Sequence, residues 1–137
     1  MTEHRKPRIL VVEDHPQLAD IVETRLRLDG MEPVLCRNGT TALDILATDP
    51  IDVVLLDIMM PVVDGYEVLR RIRANPATAE IPVIMLTAKV TRQDVEKSRA
   101  MGADDYIAKP FGPHDLVQKI RACLKKRSQA LAASALR

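Results

Sequence analysis

Two kinds of apolar pattern alternate along the chain. The first is a short unbroken run of branched residues: Ile9-Leu10-Val11-Val12, Val34-Leu35-Cys36, Val53-Val54-Leu55-Leu56, Val83-Ile84-Met85-Leu86 after Pro82, and Tyr106-Ile107-Ala108. Such a run is too short for a helix. It is apolar at successive positions, where a surface strand would alternate, so it predicts a strand covered on both faces of a parallel sheet. The second pattern repeats every three to four residues and predicts helices. Leu18, Ile21, Val22, Leu26 and Leu28 form one such stripe, opened by Pro16 and closed by Gly30. Ala42, Leu43, Ile45 and Leu46 form the next, after the Asn38-Gly39 turn, with Thr40 or Thr41 as its cap and Pro50 as its stop. Tyr66, Val68, Leu69 and Ile72 follow Gly65, with Arg70, Arg71 and Arg73 turned outward, and Asn75-Pro76 ends that helix. Thr91 and Asp94 have capping-box spacing and open a helix that Gly102 closes. Pro113 opens the last helix, striped by Leu116, Val117, Ile120, Cys123 and Leu124. From Ser128 onward the chain either prolongs it or frays.

Strands alternating with helices predict a parallel sheet covered on both faces, and right-handed crossovers leave few topologies. The expected fold is a three-layer, doubly wound, flavodoxin-like (βα)5 unit with a five-stranded sheet of order 2-1-3-4-5. Composition narrows the function without changing the fold. At 137 residues the chain is one domain's worth. Aromatics at 2% argue against base stacking, and a net charge of +1 gives no general pull toward nucleic acid or anionic membranes. Cys36 and Cys123 make neither a disulfide framework nor a metal cluster and read as small buried hydrophobes. No apolar run reaches membrane-spanning length, and Met1 to Arg8 is too polar for a signal peptide, so a cytoplasmic protein is expected. Arg121, Lys125, Lys126 and Arg127 read as a cationic last helical turn more readily than as a nucleic-acid contact.

The chemistry gathers at the strand ends. In an open parallel sheet, ligands bind beyond the carboxyl ends of the strands, at the point where strand order reverses. In the expected order that point lies between the first and third strands, which end in Glu13-Asp14 and in Asp57. The fourth ends in Thr87 and the fifth in Lys109. Each residue alone has an ordinary reading: a carboxylate after a strand caps a helix, and Lys-Pro makes a turn. Together they are specific, because separate strands bring them to one edge. Clustered carboxylates repel unless a pKa rises or a cation binds. With oxygen ligands only, and no His or Cys at metal spacing, the cation that fits is Mg²⁺. A carboxylate beside Mg²⁺ can attack phosphorus, while Mg²⁺, the Lys109 ammonium and the Thr87 hydroxyl meet the three equatorial oxygens. His15 is a weaker phosphoacceptor candidate than Asp57, since a helix first turn is a common polar position.

Glu13-Asp14, Asp57, Pro61, Asp64-Gly65, Thr87-Ala88, Tyr106 and Lys109-Pro110 closely resemble the receiver domain of two-component response regulators. The resemblance spans 8–127 as a receiver domain and leaves 128–137 as a C-terminal tail or helix extension. It implies that Asp57 accepts a phosphoryl group from a histidine kinase or phosphotransfer protein. It implies Mg²⁺ held by Asp14, Asp57 and the Met59 carbonyl, with Glu13 acting through water. Lys109-Pro110 would be a cis peptide that aims the lysine, and Thr87 with Tyr106 a switch pair. Met59 and Lys89 would tune the access of hydrolytic water. The output would be a downstream effector or a self-dimer engaged through the fourth helix, fifth strand and fifth helix, with no direct nucleic-acid or membrane binding. Two other functions compete. A dehalogenase-type phosphohydrolase needs a second acid two residues after the nucleophile, where Met59 stands, and usually a cap domain for which no residues remain. A DNA-binding regulator needs a helix-turn-helix beyond the sheet, which this chain does not supply.

Overall fold

The computed structural model describes residues 5–88 and 91–135. Its elements are β1 (Arg8–Val12), α1 (Pro16–Leu28), β2 (Glu32–Cys36), α2 (Gly39–Thr48), β3 (Val53–Asp57), α3 (Gly65–Ala74), β4 (Val83–Thr87), α4 (Arg92–Ala100), β5 (Asp105–Ala108) and α5 (Pro113–Ala135). The strands are all parallel and lie in the order β2-β1-β3-β4-β5, the expected flavodoxin-like topology. Successive side chains of a strand point to opposite faces. Leu10, Val12, Val54, Leu56, Val83 and Met85 accordingly meet α2 and α3 in one core layer. Ile9, Val11, Val53, Leu55, Ile84 and Leu86 meet α1 and α5 in the other. Both faces are covered, which is why the central strands read as unbroken apolar runs.

Four local expectations need correction. The cap of α2 is Asn38, whose Oδ1 accepts from the Thr41 amide at 2.8 Å, so Thr40 and Thr41 lie inside the first turn. The stripe of α1 is narrower than expected, because Ile21 and Leu28 are 56% and 79% exposed. Arg73 does not turn outward as Arg70 and Arg71 do. Its guanidinium donates to the carbonyls of Gly102, Ala79 and Ile81 at 2.9, 3.0 and 2.6 Å, and to Asp104 at 2.8 Å. Finally, α5 continues past Ser128 to Ala135, so the basic cluster from Arg121 to Arg127 is mid-helix and does not neutralise a helix end. Arg121 pairs instead with Asp29 at 3.1 Å, and Lys126 with Asp104 at 3.8 Å. The buried Thr78 gave no sequence signal. Its hydroxyl donates to the Ile72 carbonyl at 2.7 Å, completing a bond that α3 leaves open at its C-terminus. Cys36 and Cys123 are free and buried, and burial pushes both thiols up to about 11.

Candidate functional site: an acidic pocket at the switch point

β1 and β3 are neighbours in the sheet, and their connecting helices depart to opposite faces. The crevice beyond their carboxyl ends holds Glu13 and Asp14 from one strand and Asp57 from the other. One carboxylate oxygen from each lies within 4.8 Å of the others. Glu13 and Asp57 are buried, at 1% and 3% exposure, while Asp14 is the most open of the three. Lys109 reaches in from the turn after β5, its Nζ 2.7 Å from Glu13 Oε1 and 3.4 Å from Asp57 Oδ2. That turn is pinned to β4, since the Lys109 amide donates to the Thr87 carbonyl at 2.8 Å, and Lys109-Pro110 is cis.

Backbone amides complete the setting. The Met59 amide donates to Asp57 Oδ1 at 3.1 Å, and the His15 amide to Glu13 Oε2 at 3.1 Å. The loop after Asp57 closes on itself because Gly65 has no side chain. A Cβ there would run into the Asp57 carbonyl oxygen and stand 2.7 Å from Ile58 Cα. The Gly65 amide donates to the Ile58 carbonyl at 2.9 Å, and Asp64 caps α3 by accepting from the Glu67 amide at 3.0 Å. The Asp-Gly pair thus turns the chain into α3 while pressing the loop against the pocket.

The electrostatics follow from burial. Two buried carboxylates and a third close by face one ammonium, so negative charge is left uncompensated. The Asp57 carboxyl is pushed up to about 6, chiefly by burial and next by the Glu13 carboxylate, against the pull of Lys109 and the Met59 amide. It is therefore largely ionised at neutral pH and can act as a nucleophile. The donor set is all oxygen, compact and net negative, and it fits a hard divalent cation such as Mg²⁺.

Thr87 ends β4 with no exposed surface. Tyr106 lies on the adjacent strand, in register with Met85. Its ring packs against the α2/α3 layer, and its hydroxyl is buried with no hydrogen-bond partner. Burial raises the phenol to about 12, reinforced by Asp94 and then Tyr66. Met59 is 56% exposed on the rim. Lys89, expected on the same rim, lies outside the described residues. Glu13, Asp14 and Asp57 are thus gathered at one edge, Lys109 reaches Glu13 and Asp57, Thr87 stands at the next strand end, and Tyr106 lies to one side. Sequence reasoning missed the part of Tyr66, assigned only to the core stripe of α3. Its hydroxyl donates to Asp94 Oδ1 at 3.1 Å and so joins α3 to α4. Periodicity shows which face a residue occupies, and it carries no signal for this bond.

The fold and pocket define an α/β module with an acidic, cation-ready site at its topological switch point. The model of the response regulator receiver domain matches residues 9–121, and the chain belongs to this family of two-component signalling domains. A probable transcriptional regulator, ycf27, of Guillardia theta is 40% identical over 131 residues, which are 96% of this chain and 50% of that protein. The chain spans about half the length of this curated relative. Among solved structures, a CheY-like receiver domain protein from Methanospirillum hungatei JF-1 superposes with a TM-score of 0.86 at 27% identity, covering 92% of this chain and 99% of that one. The receiver domain of the sensor histidine kinase PA1611 from Pseudomonas aeruginosa PAO1 gives 0.82 at 33% identity, covering 88% and 99%, and has a magnesium ion coordinated in its active-site cleft. Among the described residues, no helix is long and apolar enough to cross a membrane.

Proposed function

We propose that this chain is the phosphoacceptor of a two-component phosphorelay, with Asp57 as the residue modified. The observation that carries the reading is the pocket itself: three carboxylates within 4.8 Å of one another, with the Lys109 ammonium 3.4 Å from Asp57. The donor is a phosphohistidine of a histidine kinase or phosphotransfer protein. An Asp57 carboxylate oxygen attacks phosphorus in line. The new P–O bond forms as the P–N bond breaks, and the imidazole nitrogen keeps the electron pair. Asp14, Asp57 and the Met59 carbonyl would hold Mg²⁺, with Glu13 acting through water, and the ion would supply positive charge to offset that of the phosphoryl group. Lys109 exchanges its contact with Glu13 for a phosphoryl oxygen, and the Thr87 hydroxyl binds another. The same groups serve hydrolysis, so the chain promotes its own phosphorylation and dephosphorylation and has no further substrate.

The output follows from the switch pair. Thr87 moves toward the phosphoryl group and Tyr106 takes up the space it leaves. The buried, unpaired Tyr106 hydroxyl supports this reading, because an unsatisfied buried donor costs about 1–3 kcal/mol and favours an alternative placement. The face formed by α4, β5 and α5 then engages a downstream effector or a second copy. Direct nucleic-acid or membrane binding by this chain forms no part of the reading, and its partners place it in the cytoplasm. Residues 8–127 form the receiver unit and 128–137 its C-terminal extension. Intact mass after incubation with acetyl phosphate and Mg²⁺ tests the assignment. Wild type gains one phosphoryl group and Asp57→Asn gains none. Equal gain in both, or a gain unaffected by EDTA, overturns it.

A further inference from the structure

The core holds α4 least of the helices. α1 buries Ala19, Val22 and Leu26, α2 buries Gly39, Ala42 and Leu46, and α3 buries Gly65, Val68, Leu69 and Ile72. α4 buries only Ser98. A helix without an apolar stripe must be positioned by polar contacts, and on α4 these concentrate at its first turn. The Tyr66 hydroxyl of α3 donates to Asp94 Oδ1 at 3.1 Å. The Thr91 hydroxyl donates to the other oxygen, Oδ2, at 2.6 Å, while the Asp94 amide donates back to Thr91 Oγ1 at 3.1 Å. Lys97 Nζ sits 4.0 Å from the centre of the Tyr66 ring. One carboxylate therefore ties α3 to the N-cap of α4.

Both ends of this tie lead back to the acidic pocket. Tyr66 follows Gly65, which is packed on the backbone of Asp57 and Ile58. Thr91 stands four positions after Thr87. Beside the tie, the seam between α4 and β5 is poorly filled. A cavity of about 50 Å³ there is lined by residues including Val95, Ser98, Ala103 and Tyr106. The Tyr106 hydroxyl is buried without a partner, and the buried Ser98 hydroxyl has only the Tyr66 hydroxyl of α3 beside it. Apolar packing and saturated hydrogen bonding thus do little to fix α4 against the sheet.

We infer that the Tyr66–Asp94–Thr91 clamp holds α4 in its resting position and sets how much phosphoryl binding energy is needed to shift it. This rests on the phosphoacceptor reading above. A contact made in one position of α4 and absent in the other adds its full free energy to the balance between the two. Tyr66→Phe is the direct probe, since it keeps the ring and the Lys97 contact and removes only the hydroxyl that meets Asp94 and Ser98.

Hydrogen exchange read by mass spectrometry on the full chain tests the clamp, with beryllofluoride and Mg²⁺ as the phosphoryl mimic. In Tyr66→Phe without mimic, amides of α4 exchange several-fold faster than in wild type, while those of α1 and α2 do not change. The half-saturating beryllofluoride concentration falls about three- to tenfold, the factor expected from one hydrogen bond to a charged group in a partly wet setting. Combining Tyr66→Phe with Asp94→Ala moves both readouts no further than Asp94→Ala alone. Unchanged α4 exchange, additive effects, or faster exchange with an unchanged half-saturation overturns the clamp. A wild type that does not respond to beryllofluoride, alongside faster α4 exchange in Tyr66→Phe, overturns the phosphoacceptor reading and the threshold role together, and leaves the Tyr66–Asp94 bond as a structural tie.

Discussion

Replacing the buried Asp57 with asparagine is expected to stabilise the metal-free protein, against the usual sign for a core substitution. In wild type, Glu13 and Asp57 share one ammonium, at 2.7 and 3.4 Å. Asparagine keeps the shape of the side chain and an oxygen for the Met59 amide, and leaves Glu13 paired with Lys109 alone. The magnitude comes from the displaced carboxyl. A group held at about 6 in the folded chain against 3.8 ordinarily corresponds to about 3 kcal/mol of unfavourable ionisation. Water at the open Asp14 side and salt in the buffer reduce this to about 1–2 kcal/mol. For a chain of this size that is a rise of about 3–7 °C in melting temperature. The sign changes with pH in a definite way. The folded pKa is raised, so wild type loses stability as pH climbs from the ordinary value toward the folded one, and Asp57→Asn does not. The advantage of the variant is therefore absent near pH 4, grows through about pH 6 and is constant above it. Millimolar Mg²⁺ raises the melting temperature of wild type by mass action and that of Asp57→Asn less, closing the gap. Thermal melts in EDTA at about pH 4 and about pH 7.5, repeated with Mg²⁺, make all these comparisons. The reasoning fails if Asp57→Asn melts at or below wild type at the higher pH in EDTA, or if its advantage is the same at both.

Two further outcomes concern regions away from the carboxylates. Val62 has φ +69° and is fully exposed, so a β-branched residue occupies left-handed backbone with no packing in return; Val62→Asn should raise stability by about 1 kcal/mol in urea melts, and an unchanged or lower midpoint refutes the strain. Arg73→Ala strips donors from three carbonyls and from Asp104 and should cost about 2–3 kcal/mol, whereas Arg71→Ala, losing only a surface pair with Glu67, should cost under about 0.5 kcal/mol. Equal losses in the two variants would refute the distinction.

Right-handed crossovers left few possible strand orders, of which 2-1-3-4-5 was one. The alternation of strand and helix, the parallel sheet and the convergence of Glu13, Asp14, Asp57, Thr87 and Lys109 on one edge could all be read from the chain. These depend on local signals. Unbroken branched runs mark doubly covered strands, stripes and caps mark helices, and in a parallel sheet every strand delivers its last residue to the same edge. Local pattern says which face of an element a residue occupies, and it is silent about what waits across that face. Arg73 has the spacing of an outward cation, yet the 75–82 loop and Gly102 fold over it and present carbonyls. Ile21 and Leu28 have core spacing on α1, yet both remain more than half exposed. Lys109 was expected to serve Asp57, yet its ammonium lies closer to Glu13, at 2.7 against 3.4 Å. Tyr66 has the place of a core residue, and only the approach of α4 gives its hydroxyl an acceptor. Such contacts join positions far apart in the chain, and their partners are chosen by the packing of whole elements, which short-range periodicity does not encode.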